Sequence, residues 1–466
     1  MERAGLWVVT AALTVYLFVF VPSTSPEQAI YLPRVLFLGG AALLALLLYA
    51  ERLRGTFGSW LPTLLLVHLA LVTASDVLLR DPGGWTYPFF GAAGRSDGLL
   101  FTLVVVALAL VVLTMLHAHG GRTVVRHLAG ATLAAGVGQS VVMFLQALGI
   151  DATRLMFLQH KYLNPDGTTA NSGFVAAVLL TSLLAGMVLL STRARGDRRW
   201  LVPVALVVVA VALGLTGNRT SLLALVVAVV PAMTVRGIHV RRWFVTVLLV
   251  AVVTAGATQL VIPKSMAGTS QALAGRIQIW RYAVDVITAS PHQPWLGMGP
   301  AALRLAVLRK VVPATRLAPL HERDPGWPKD ATLLSVERIR APGTPLRSTL
   351  FQFRFKQASG SPFFYQIPSQ YDKAHDLWLD ETASNGLLDG IVWVVIFLGA
   401  MVLAWRRRDA TSRLLAVAAL ALAVFYVAWF PAVFFWPYDV VLLVLAWSYR
   451  PVEAANSAGE VAPDAA

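Results

Sequence analysis

Cysteine is absent from all 466 residues. That excludes disulfides, thiolate nucleophiles and cysteine-ligated metals, and leaves the compartment open. Charge is scarce too. Asp, Glu, Lys and Arg make up 13% of the chain, against about a quarter in an ordinary soluble protein. A P-loop, a glycine-rich dinucleotide signature, an internal repeat and any Asp-x-Asp pair are also missing, which removes the usual marks of nucleotide-driven chemistry and of repeat architectures. The nearest approach to a metal-binding run is Glu322-Arg323-Asp324 beside His321. Such runs are usually solvated loop, so neither a metal nor a cofactor is expected.

What the chain has in abundance is apolar sequence. It is 57% hydrophobic, with a mean hydropathy of +0.68, which makes a polytopic membrane protein the default class. The stretch 1–21 lacks a small-x-small cleavage site and is followed by many similar segments, so it reads as a first span, not a signal peptide. Twelve apolar segments lie near 5–22, 31–50, 59–76, 98–116, 128–150, 172–192, 200–216, 220–235, 243–262, 387–405, 414–430 and 434–449. The expected fold is therefore an all-α bundle of about twelve transmembrane helices. Residues 1–262 form helices one to nine, 263–386 a large loop domain, 387–449 helices ten to twelve, and 450–466 a disordered tail.

Charge sets the orientation. One set of connections holds Arg52, Arg54, Arg122, Arg126, Arg193, Arg195, Arg198, Arg199, Arg236, Arg241, Arg242, Arg406, Arg407, Arg408 and Arg413. The short loops of the other set hold only Arg34, Arg80, Arg95, Arg154, Lys161 and Arg219. The positive-inside rule places both termini in the cytoplasm and the loop domain outside. The net charge of +14 is largely this topological bias, so no nucleic-acid partner is implied. Thr216-Gly217-Asn218-Arg219 splits an apolar run too long for one span, and puts Arg219 near the outer interface. A cation there needs an anionic partner or must snorkel to lipid headgroups.

Within the loop domain, Ile277, Trp280, Ala283, Val284 and Ile287 recur at helical spacing, which predicts an amphipathic helix over 276–290. A second short helix is expected over 301–312. Phe351, Phe353 and Phe355 alternate with polar residues, predicting a strand that pairs with 333–340 through Pro342-Gly343-Thr344-Pro345. This hairpin reads as a stabilising lid. Ionisable residues are expected to keep to the outer ends of the bundle and away from its interior.

Four ordered pieces then resemble one family. They are Phe90-Gly91 with Arg95-Ser96-Asp97-Gly98-Leu99-Leu100; Gly167-Thr168 with Asn171; Thr216-Gly217-Asn218-Arg219-Thr220-Ser221 followed by Gly275-Arg276, Trp280, Pro294 and Gly297-Met298-Gly299; and Asp372-Lys373-Ala374-His375-Asp376 with Gly386. Together the chain resembles the O-antigen ligase and O-antigen polymerase superfamily of bacterial inner-membrane glycosyltransferases. It departs from the family pattern at Asp376, where the family usually has Asn, at Ser384, where an acidic residue is common, and at Gly390, one position late.

The resemblance implies an enzyme that takes a glycan from an undecaprenyl-diphosphate-linked donor and transfers it, without metal, to a glycan or lipid A core acceptor outside the membrane. It implies that Arg219 and Arg276 hold the diphosphate, for which guanidinium is chemically suited, and that His375 is the general base. Arg281 is a weaker third cation. Asp372 or Asp376 would orient the histidine. Arg95 and Asn171 either line the donor site or cap helices. A polymerase, a protein O-oligosaccharyltransferase and a small-anion transporter are the alternatives.

Overall fold

The computed structural model describes residues 2–23, 26–78, 89, 98–154, 156, 166–169, 171–192, 200–235, 238–261, 267–299, 302–303, 306, 331–339, 350–357, 362–368 and 374–451. Each of the twelve apolar segments contains a helix. These are α1 Glu2–Val15, α2 Pro26–Leu48, α3 Trp60–Leu78, α4 Leu99–His119, α5 Gly121–Ala147, α6 Ser172–Ser191, α7 Leu201–Thr216, α8 Arg219–Ala232, α9 Ile238–Val261, α12 Leu387–Arg406, α13 Ala410–Tyr426 and α14 Trp436–Ser448. Three more described helices belong to the long excursion: α10 Ala267–Ile287, α11 Leu377–Asn385 and a single turn at Gln293–Leu296. Among the described residues, seven helices are long and apolar enough to cross a membrane, and five apolar ones are shorter. The short ones follow from sequence breaks. Gly217 takes a left-handed φ of 61° and ends α7, and the Asn218 side chain accepts from Ser221 N at 2.9 Å to start α8.

Helix α6 is the hub, with 89% of its span buried, whereas α9 is only 22% buried and lies at the periphery. A helix apolar on every side can occupy an interior. In a bilayer its packing depends on small residues that let neighbours approach. Gly173, Ala176, Ala177, Ser182, Ala185 and Gly186 of α6 are all buried or tightly contacted.

The bundle has two distinct ends. At one, Tyr49 meets His119 at 2.6 Å, Arg122 donates to Thr192 O at 3.0 Å, Ser191 meets Thr411 at 2.9 Å and Arg407 donates to Ala446 O at 2.9 Å. This end carries the described members of the arginine-rich set. At the other, Arg34 donates to Val19 O and Thr168 O, each at 3.1 Å, and to Leu17 O, and the candidate residues of the sparse set collect there.

The excursion departs from expectation in three places. Helix α10 begins at Ala267, nine residues earlier than its amphipathic pattern, because Ala, Gln and Leu supply helix propensity without periodicity. The sheet has three antiparallel strands in the order β1-β2-β3: β1 Ala331–Ile339, β2 Leu350–Gln357 and β3 Pro362–Pro368. The first two are the expected hairpin, with Val336 opposite Phe353. The third was not anticipated, since Pro362-Phe363-Phe364-Tyr365-Gln366-Ile367-Pro368 lacks alternation and carries proline at both ends, a pattern tolerated at a sheet edge. Helix α11 was also missed. Its N-cap is Asp376, whose Oδ1 accepts from Leu379 N at 2.9 Å. Most of the expected 301–312 helix, the Pro342–Pro345 turn and the tail beyond 451 lie outside the described residues.

Glycine geometry ties the excursion to the bundle. Gly386 joins α11 to α12 at φ 91°, and Gly297 has φ 67°. A Cβ on Gly386 would lie 2.0 Å from Trp295 O, and one on Gly297 would lie 2.3 Å from Ser384 O. This contact lets Met298 N donate to Ala383 O and Gly299 N to Ser384 O, both at 2.8 Å. The Gly297-Met298-Gly299 turn therefore satisfies the orphan carbonyls at the end of α11.

Candidate active site

Arg276 sits on α10, half-buried. Its Nη1 donates to Thr220 Oγ1 at 3.4 Å, and its guanidinium stands 5.7 Å from the centre of the Trp429 ring. Burial pulls the guanidinium down from the usual arginine range. Thr220 is the neighbour of Arg219, the first residue of α8, which is exposed. Both arginines thus belong to the N-terminal end of α8, where backbone N–H groups and the helix dipole favour anions.

His375 approaches the same tryptophan from the excursion's far end. Its backbone takes a left-handed φ of 55°, and its ring packs edge-on at 5.0 Å from Phe430 and 5.9 Å from Trp429. Trp429 is held in turn by Phe425, stacked at 5.9 Å and 9°, and by Phe174. Gly173 makes room for it, since a Cβ there would lie 2.1 Å from the Trp429 ring. Asn171 caps α6 beside this cluster, accepting from Gly173 N at 2.8 Å and Phe174 N at 3.3 Å.

The structure brings Arg276, His375, Asn171 and the start of α8 together at one end of the bundle. Arg281 is exposed and lies five residues, roughly 140°, around α10 from Arg276, so it does not join them. Asp376, expected with Asp372 as an orienter of His375, caps α11 by accepting from Leu379 N. Burial lifts its carboxyl to about 6. Arg95, Asp372 and the His321-Glu322-Arg323-Asp324 run lie outside the described residues.

Sequence reasoning missed Trp429, Phe430 and Thr220, which only tertiary contact reveals. It also missed a buried polar cluster. His68 Nδ1 lies 2.7 Å from Asp389 Oδ1, and Asn385 Nδ2 donates to Glu381 Oε2 at 2.8 Å and to Asp389 Oδ2 at 2.9 Å. Ligand-bearing atoms of His68, Glu381 and Asp389 lie within 4.8 Å of one another. Elsewhere Asp439 accepts from Thr181 Oγ1 and Tyr426 OH, both at 2.5 Å. The expectation that ionisable residues keep to the bundle ends is therefore wrong for His68, Asp389 and Asp439, which are buried inside apolar helices. His68 and Asp76 within the apolar run of α3 were the available signal.

Fold and site together define a polytopic helical membrane protein with a basic, aromatic-walled site at one end of its bundle. The O-antigen ligase family model matches residues 204–322, a stretch that contains both Arg219 and Arg276 and stops short of His375. The match covers about a quarter of the chain and supports the O-antigen ligase and polymerase superfamily. No curated protein sequence matches the chain.

Proposed function

We propose that this protein transfers a glycan from an undecaprenyl-diphosphate-linked donor to an acceptor hydroxyl, on lipid A core or a similar glycan, at the outer face of the inner membrane. The observation that carries the reading is that Arg276 and His375, from opposite ends of the excursion, flank one tryptophan beside the start of α8. In this reaction His375 takes the proton of the acceptor hydroxyl. The oxygen attacks the anomeric carbon, and the bond from that carbon to the diphosphate oxygen breaks. The electron pair leaves with the diphosphate, whose growing charge Arg276 and Arg219 offset. Guanidinium does this without a metal, through bidentate bonds to phosphate oxygens. Trp429 and Phe430 keep the histidine in a partly dry setting, where electrostatic effects are stronger than in water.

The test is purified protein in lipid nanodiscs with an undecaprenyl-diphosphate-linked glycan and candidate acceptors, without added metal. Release of undecaprenyl diphosphate is expected, with loss of at least about 100-fold in His375→Ala and near-complete loss in Arg276→Ala and Arg219→Ala. Full turnover in Arg219→Ala would remove that residue from the donor site. The acceptor that gains glycan separates ligase from polymerase and from protein O-oligosaccharyltransferase, since all three share the donor site. A small-anion transporter is the reading favoured by the buried His68–Asp389 pair, because such pairs mark ion pathways. Anion flux into vesicles with no diphosphate release would establish it instead.

A further inference from the structure

The buried polar cluster lines a cavity that the arginines do not reach. His68, Asp76, Glu381, Asn385, Trp393 and Trp436 form most of its wall, and its volume is ≈ 50 Å³. A water needs roughly 10–15 Å³ of such space, and a cavity of about 150 Å³ holds benzene. The space therefore suits one or two hydroxyl groups and is too small for a whole sugar ring. His68, Val72 and Asp76 present one face of α3 at four-residue spacing.

The chemistry of the wall is mixed. The carboxylates of Asp76 and Glu381 are acceptors. The Trp393 indole is 1% exposed, and its Nε1–H has no acceptor among the described residues. An indole N–H can only donate, so it calls for an oxygen lone pair and gives nothing to a bare cation. A hydroxyl both donates to carboxylate and accepts from indole. The Trp393 and Trp436 rings, 4.7 Å apart, add apolar faces of the kind that pack well against ring C–H groups.

Position decides which substrate. His375 and the cap Asp376 immediately precede helix α11, and Glu381 lies on it five residues after the cap, about 7.5 Å at helical rise. The remaining walls come from α3, α4, α12, Trp436 of α14 and Pro431 just before it, whereas Arg276 meets Thr220 of α8. Neither α8 nor α10 contributes to its wall. We propose that it receives a hydroxylated edge of the acceptor sugar and so fixes which acceptor His375 serves. This rests on the glycosyl-transfer reading.

The test separates the two. Full-length protein in nanodiscs is titrated with methyl glycosides of glucose, galactose, mannose and N-acetylglucosamine, and separately with Mg²⁺, Ca²⁺, Mn²⁺ and Zn²⁺, with binding read by native mass spectrometry. At least one glycoside is expected to bind the wild type, and about tenfold more weakly to Glu381→Gln and Trp393→Phe. If Trp393→Phe fails to fold, the isosteric Glu381→Gln decides alone. No glycoside binding, or equal binding to these variants, overturns the proposal. Metal binding that Glu381→Gln abolishes, without glycoside binding, overturns it in favour of a cation site. Glycoside binding without diphosphate release from the lipid-linked donor would leave the cavity's assignment to a sugar standing and refute the transferase reading alone.

Discussion

Replacing Gly386 with alanine should part the 293–299 turn from α11 without touching any candidate catalytic group. At φ 91° an L-residue is strained, by roughly 1–3 kcal/mol. The added Cβ would also lie 2.0 Å from Trp295 O and 2.5 Å from Trp295 C. Backbone atoms cannot rotate away as a side-chain tip can, so the contact adds about 1–3 kcal/mol of overpacking. The expected total is about 2–6 kcal/mol, relieved by moving the 293–299 turn off α11. That motion breaks the bonds from Met298 N and Gly299 N to Ala383 O and Ser384 O. Amide hydrogen exchange followed by mass spectrometry should show peptides containing Met298 and Gly299 exchanging at least about thirtyfold faster, from the lower bound. Gly275→Ala is the control. Nothing lies within 4 Å of its Cβ, and alanine in a helix interior is favoured by about 1 kcal/mol, so protection there should hold or rise. Wild-type exchange at Met298 and Gly299 in Gly386→Ala would refute the reasoning.

Other predictions follow from single contacts. Asp376 has its folded pKa raised to about 6 from 3.8, so the associated stability is full below 3.8 and is lost as pH rises through 6. Wild-type melting temperature should fall between pH 4 and 7 relative to Asp376→Asn, which caps α11 equally well and does not titrate; parallel curves would contradict this. Gly173→Ala should cut glycan transfer by displacing Trp429 from Arg276 and His375, with membrane insertion unchanged, and undiminished transfer would separate Trp429 from the site. Arg34→Met removes the donor to three backbone carbonyls in a fully buried position, and should destabilise by at least about 3 kcal/mol, read as a lower melting temperature in detergent. Asn171→Ala should cost about 1 kcal/mol through the lost cap, and Asn171→Ser much less.

Much of the bundle was legible because burial in lipid demands apolar runs of defined length, and the Thr216–Arg219 break carries turn residues that no span tolerates in its interior. The alternation of arginines also separated the two ends correctly, as Arg122 and Arg407 lie opposite Arg276. The site was legible only in part. Arg276 and His375 could be named by resemblance, but nothing local to either announces that Trp429, from the break between α13 and α14, stands between them. Helix α11 escaped because nine residues of mixed polarity show no clear period, and its cap, Asp376, resembled an orienting partner of His375. The third strand escaped because its pairing with β2 is tertiary information. Asp389 and Glu381 were invisible as partners of His68, from which they are more than three hundred residues distant in sequence.

The contacts of α11 have a consequence for how such chains change over time. Gly299 is bonded to its C-terminal end at Ser384, and Ala374 to its side chain at Asp380. The stretch that contains the sheet is thus bounded at both ends by bonds to one nine-residue helix. A segment pinned at both ends can be lengthened at a cost of only about 0.6 kcal/mol per doubling. Such a segment is a natural cassette. It can be lengthened, shortened or exchanged between related chains, altering what approaches the site, while Arg276 and His375, outside the pins, keep their places.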